Sequence, residues 1–256
     1  PMTSLLWSTG ETTTSILVDT AQIVEVVGTT SNGCTYVATL SVAQELVTDG
    51  DFTNFNPSAP SFTTEYRQHQ AYYTGGPTSG LWPEGDYAVN TSAFSPSNGV
   101  GYHPNFHGQD HTNNSVGPRN FLMVNGSTTT TPDPPGPDRQ RIIWQQTVTV
   151  TPNTDYYFSA YAMNLNPVAP AILQFEVNGV LVGSIADLST APKPTTEAEV
   201  NLNNWIRFYS TPTWNSGAAT TAVIRIRNLN TIAGGNDFAL DDISFGTLSP
   251  FLILTS

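Results

Sequence analysis

Between residues 142 and 150 the chain alternates. Gln145, Thr147 and Thr149 interleave with Gln146, Val148 and Val150, the period-two pattern of a half-buried strand. Comparable runs fall at 120–124, 155–163, 172–177, 180–185, 205–209, 222–228 and 238–245, with a shorter one at 86–89. Asn178-Gly179 between two β-rich runs predicts a tight hairpin, because both central residues of that turn need positive φ. No stretch of length shows helical periodicity, and 195–202 predicts at most a turn. Regular strands with turn punctuation and no strand–helix alternation predict an antiparallel β-sandwich.

The run 234–246, GGNDFALDDISFG, breaks that pattern. Phe238, Leu240, Asp242 and Ser244 share one face of an ideal strand, and Ala239, Asp241, Ile243 and Phe245 the other. Apolar character therefore changes faces at Asp241-Asp242. Either a bulge sits there, or one carboxylate points inward, which is costly unless it is paired or metal-bound. The chain has only eight Lys and Arg, so a cation such as Ca²⁺ is the more available partner. A solvated acid pair on an edge strand is the alternative.

Residues 1–42 predict short strands at 4–7, 15–18, 23–27 and 35–42, too few residues for a complete sandwich of about 100. Residues 54–120 are rich in Pro, Gly, Asn and aromatics and long for a connection, so packed functional loops are expected. Tyr66, Tyr72, Tyr73, Trp82, Tyr87, Tyr102 and Phe106 would anchor them. Trp7, Trp144 and Trp205, in strand runs, are expected in cores.

Composition narrows the partners. Of 256 residues 11% are charged, and the net charge of −12 disfavours nucleic acid and anionic membranes. No run reaches the roughly 20 apolar residues of a membrane-spanning helix. Cys34 is alone, which excludes an intramolecular disulfide or a cysteine-rich metal site. A soluble, exported protein fits these figures.

The first unit reads WSTGETTTSILV and later SNGC, with Trp7, Ser8, Thr9, Gly10, Glu11, Thr12, Thr13, Ser15, Ile16, Asn32, Gly33 and Cys34 in the pattern. It resembles the closing half of the immunoglobulin-like repeats in large surface proteins of gliding Bacteroidetes. From 44 onward GDF, DHT, FLMVNG, WQQTVTVTPNTDYYFSAYAMN, LQFEVNG, WNSG and GNDFALDDISF follow in order. They resemble the jelly-roll domains of the same type IX-secreted adhesins, whose broader relatives are calcium-bearing, galactose-binding-like carbohydrate-binding modules. The resemblance implies an all-β chain, an antiparallel jelly-roll β-sandwich over 43–247 preceded by a partial immunoglobulin-like unit over 1–42. Residues 248–256 would be a linker toward a further module. It also implies a secreted or outer-surface location and neighbouring modules of one large protein as partners.

A structural Ca²⁺ is implied between Asp49, Gly50, Asp51 and Thr53 at one end and Asp241 and Asp242 at the other, with Asp110 from the middle loop. His103, His107 and His111 recur every four residues, but Pro104 and Gly108 argue against the helix that would align them for zinc. Catalytic signatures are lacking, although Glu65, Glu84 and Asp86 are carboxylates of the kind a glycosidase pairs. Trp82, Tyr87 and Tyr72 beside Glu84, Asp86 and Arg67 have the composition of a sugar cleft, rings for C–H faces and polar groups for hydroxyls. The alternative is that these rings fasten the loop. Two functions are expected to compete: a non-catalytic module of a surface adhesin, in attachment or gliding and binding polysaccharide, and a binding or catalytic domain of a secreted glycan-processing enzyme.

Overall fold

The computed structural model describes residues 2–8, 10–14, 22–42, 44–68, 81, 84–93, 106–111, 119–127, 142–166, 168–230, 232, 234–247 and 253–255. The expected strand at 15–18 lies outside them. Three strands come first: β1 (Met2–Trp7), β2 (Gln22–Thr30) and β3 (Thr35–Val42). The middle carries β4 (Arg67–Gln68), β5 (Asp86–Asn90) and β6 (Phe121–Asn125). Then come β7 (Ile142–Thr149), β8 (Asp155–Asn164), β9 (Ile172–Val177) and β10 (Val180–Asp187). Last are β11 (Trp205–Tyr209), β12 (Trp214–Asn215), β13 (Thr221–Asn228), β14 (Phe238–Thr247) and β15 (Ile253–Thr255).

Among the described residues these strands make three sheets: β1-β2-β3-β15, β10-β9-β13-β7, and β11-β8-β14-β6-β5-β4 with β12 also on β8. The chain is all-β, and the second and third sheets form the expected sandwich. Two details differ from the reading of the sequence. β4 and β5 pair in parallel, Arg67 opposite Asp86, where a fully antiparallel sheet was expected. The end of the chain also carries a short strand not expected there, which pairs Ile253, Leu254 and Thr255 with Thr39, Ala38 and Val37 of β3.

The alternation of β7 is realised: Val148 and Val150 are buried while Thr147 and Thr149 are exposed. Gln146 is buried too, its amide satisfied by the N–H and the carbonyl of Thr48. At the hairpin Asn178 has φ 50° and Gly179 φ 81°, as the turn requires. Between the sheets lies a core with a run of rings at its centre. Phe158 stacks on Phe175 at 3.9 Å and Phe175 on Phe208 at 4.4 Å, while Phe245 meets Phe158 edge-on at 5.5 Å. Trp144 is fully buried there, and Trp205 is buried elsewhere. Trp7 is only half-buried, its indole N–H donating to the Thr13 carbonyl.

A second apolar cluster covers part of the outer face of the larger sheet. Ala88, Phe121, Met123, Met163, Trp205 and Ala239 project from it into a layer that includes Leu81, Ala93 and Phe106 from the middle loops. Phe106 is fully buried, so the described part of those loops around it is packed; Tyr72, Tyr73, Trp82 and Tyr102 lie outside the described residues. That sheet therefore has apolar cover on both faces over part of its area.

Candidate functional site

The Asp pair resolves as a bulge. Asp241 faces Tyr161 on β8, yet Ser244 faces Ser159, so three steps on β14 match two on β8. Asp242, at φ 48°, takes up the extra residue. Before it Phe238 and Leu240 point into the inter-sheet core; after it Ile243 and Phe245 do. One inserted residue keeps both apolar pairs inside.

Asp241 consequently faces outward from the sheet, but it is completely buried because the segment 106–111 lies over it. Its Oδ2 accepts the N–H of His111 at 2.9 Å and its Oδ1 that of Asp242 at 2.8 Å. Burial first, then a side-chain hydrogen bond with Asp110 and the charge of Asp242, push its carboxyl up to about 10. His111 completes the cluster: Nδ1 lies 2.6 Å from Asp242 Oδ2, and its ring stacks on Tyr161 at 3.5 Å and meets Trp205 edge-on at 5.8 Å. Asp110 and the Asp pair thus come together as expected.

The other half of the expected ion site docks on β14 through its backbone. Asp49 Oδ1 accepts the N–H of Asn54 at 2.8 Å. Asp51 accepts from Thr53 N at 3.2 Å and Thr53 Oγ1 at 2.9 Å, with the Arg119 guanidinium 3.9 Å away. What joins this turn to β14 is backbone: Ile243 N–H donates to Gly50 O at 3.0 Å. Among the described residues no three His, Cys, Asp or Glu side chains form a metal-holding group. Of the expected calcium set, Asp110, Asp241 and Asp242 come together, while Asp49, Asp51 and Thr53 bond within their own turn. His103 lies outside the described residues, and His107 and His111 do not converge on a zinc-type site.

Of the residues expected to hold sugar, the described ones, Tyr87, Asp86, Arg67 and Glu84, make contacts within the fold. Tyr87 is buried in the inter-sheet core, 5.7 Å from the Phe62 ring, and burial pushes its phenol up to about 12. Asp86 is buried and pairs with Arg67 at 2.9 Å. Glu84 accepts the N–H of Gly234, and Glu65 that of Ile142. Glu65 and Glu84 thus tie backbone, and Asp86 forms an ion pair. Trp82 and Tyr72 lie outside the described residues.

The open part of the outer face carries a group the reading of the sequence missed. Tyr157 and Tyr161 on β8 and Arg207 and Tyr209 on β11 have the parity opposite to the core residues Phe158, Ala160 and Phe208. The Tyr157 and Tyr209 rings lie 5.9 Å apart at 22°. The Arg207 guanidinium carbon is 5.9 Å from each ring centre. Tyr209 is 46% exposed, and Arg207 is exposed as well. Across β14, Ser244 Oγ donates to Glu45 Oε2 at 2.5 Å. A cleft of about 550 Å³ runs between the edges of β10 and β11, bordered by Ile185, Thr190, Arg207 and Tyr209. The detectable signal was the strand alternation itself, which assigns 157, 161, 207 and 209 to the non-core face.

No family profile and no curated protein matches the sequence. Solved structures that align with this chain include the C-terminal domain of the sugar-binding protein EclA, at 13% identity and TM-score 0.32 over 41% of this chain and 66% of that one. The tandem CBM22 domains of Paenibacillus barcinonensis Xyn10C align at 13% identity and TM-score 0.32, over 54% of this chain and 38% of that one. The Stig cyclase Fisc from Fischerella sp. TAU aligns at 12% identity and TM-score 0.41, over 81% of this chain and 99% of that one. The chain thus spans less than two thirds of the first two. Likeness this distant carries no argument about ligand or activity, which rest on the residues of the chain itself.

Proposed function

We propose that this chain is a non-catalytic, carbohydrate-binding module of a secreted or surface protein, with its ligand on the open outer face of the larger sheet. One observation carries the reading: two near-parallel tyrosine rings on strands of that face, with an exposed guanidinium beside them. Rings held in this way match the C–H faces of pyranoses, and a fixed polar group beside them matches hydroxyls. The strands set the spacing, so little conformational entropy is lost on binding. Attachment or gliding as the role of the parent protein, and export by the type IX route, belong to this proposal through the sequence resemblance. Low charge content and a net charge of −12 suit such an exposed setting, and among the described residues no helix is long and apolar enough to cross a membrane.

Stacking contributes roughly 0.5–1.5 kcal/mol per ring beyond area burial, so single-site affinity is weak and repetition in an adhesin would raise it. The test is titration against a panel of polysaccharides. Tyr157→Ala and Tyr209→Ala should each weaken binding about threefold to tenfold while leaving the melting temperature within a degree or two. Unchanged binding in both variants would overturn the site. A second reading, glycan cleavage, has one observation in its favour, the His111–Asp242 pair at 2.6 Å beside the same face. Release of reducing ends that is lost in His111→Gln would establish it.

A further inference from the structure

We infer that the ligand of this face carries isolated acidic sugars, with Arg207 recognising the carboxylate. The inference rests on the binding reading above and adds the chemical class of the ligand. Arg207 is set apart from the other described arginines. Arg67 pairs with Asp86, Arg119 lies near Asp51, and Arg225 and Arg227 share the two oxygens of Glu176. Among the described residues, no carboxylate within 4.0 Å and no hydrogen bond engages the Arg207 guanidinium; its partners are the Tyr157 and Tyr209 rings.

Such isolation is informative in a chain with 20 acidic residues and only eight Lys and Arg. The acids of the same face are committed elsewhere. Glu45 Oε1 accepts the N–H groups of Leu46, Val47 and Phe245, and its Oε2 accepts the Ser244 hydroxyl. Asp242 Oδ2 is held by His111. Asp187, on the far lip of the adjoining cleft, caps Ser189 N. A planar fork of five donors is left facing solvent, beside two rings whose centres each lie 5.9 Å away, and that fork matches a carboxylate in bidentate geometry. A single cation on a chain of charge −12 fits one anion at a time. A continuous polyanion would be repelled by the whole surface, whereas one uronic acid among neutral sugars would not.

The experiment uses the full chain at 0.15 M salt with three matched oligosaccharides. One galactan-type oligosaccharide carries a single uronic acid, one is its carboxyl-reduced counterpart, and one carries a single sulfate ester instead. The expected result is tenfold or more tighter binding of the uronic acid form over the reduced form. Arg207→Gln should abolish that preference, Arg207→Lys should retain part of it, and the melting temperature should hold in both. A preference for the sulfate ester over the uronic acid would overturn the carboxylate assignment. Equal binding of the acidic and reduced forms, lost in Tyr157→Ala, would overturn this inference and leave the binding reading standing. Failure of all three to bind would overturn both.

Discussion

Ile243 donates its backbone N–H to the carbonyl oxygen of Gly50, 3.0 Å away, and so fastens the first turn of the sandwich to its last strand. The contact is close enough that a Cβ on residue 50 would sit 2.0 Å from the Ile243 oxygen. Backbone on both sides leaves nothing flexible to yield. Gly50→Ala should therefore cost about 2 kcal/mol or more, in the upper range for forced overpacking, read as a fall in the denaturant midpoint. A change within ±0.5 kcal/mol would show that the turn does not dock on β14 as described.

Tyr87 and Tyr209 should respond oppositely to truncation. Tyr87 is 3% exposed between the sheets, so Tyr87→Ala removes a buried ring and should cost about 3–5 kcal/mol. Tyr209→Ala on the open face should change stability little and glycan affinity more. Thermal unfolding and titration of the two variants side by side check this. If Tyr87→Ala kept full stability and lost binding, the loop-borne sugar cleft would regain its place.

Chelation should leave the melting temperature unchanged at pH 7. The turn at 49–54 is joined to β14 through backbone, and the oxygens of Asp49, Asp51 and Asp241 already accept hydrogen bonds. A fall of several degrees with chelator, reversed by millimolar calcium and absent from the double variant Asp241→Ala, Asp242→Ala, would restore the single-ion reading.

Asp237 should make stability decline with rising pH. It is 4% exposed, and burial raises its carboxyl from 3.8 to about 7, against hydrogen bonds from Asn166 and Gly126. Between those values the folded chain holds a proton the unfolded chain has lost. The contribution is therefore fully present below pH 3.8 and is lost as pH rises to about 7, with an upper bound of about 4 kcal/mol. Comparison of wild type with Asp237→Asn from pH 4 to 7.5 isolates it. A wild-type minus variant difference that does not fall across this window would refute the assignment.

Glu176 works the other way. Burial opposes its charge, but hydrogen bonds from Arg225 and Arg227 and their charges outweigh that and hold its carboxyl below the usual range. Its contribution is present above the unfolded value of about 4.3 and is lost as pH falls through the lowered one. Glu176→Gln should lose stability at pH 7, with the deficit closing in acid. A deficit independent of pH would point to packing alone.

Much of this was legible along the chain because strand alternation is local. The β-rich runs, the Asn178-Gly179 turn and the change of faces at Asp241-Asp242 each depend on neighbours a few residues apart, and period-two chemistry records them directly. Sequence narrowed the Asp pair to a bulge or an inward acid; pairing with Tyr161 and Ser159 on β8 decided for the bulge. It did not reveal that Asp241 could be both outward and buried, since the cover comes from a segment 130 residues away in sequence, where His111 N–H reaches its carboxylate. Nor could composition separate Tyr87 from Tyr209. Both are tyrosines in short strand runs, and the layer above or below each ring makes one a core residue and the other a surface. The pairing of Tyr157 with Tyr209 around Arg207 arises where β8 and β11 meet, so it exists only once the sheet has formed; no local pattern carries it, because hydrophobic periodicity records which side a residue faces and not what lies across from it.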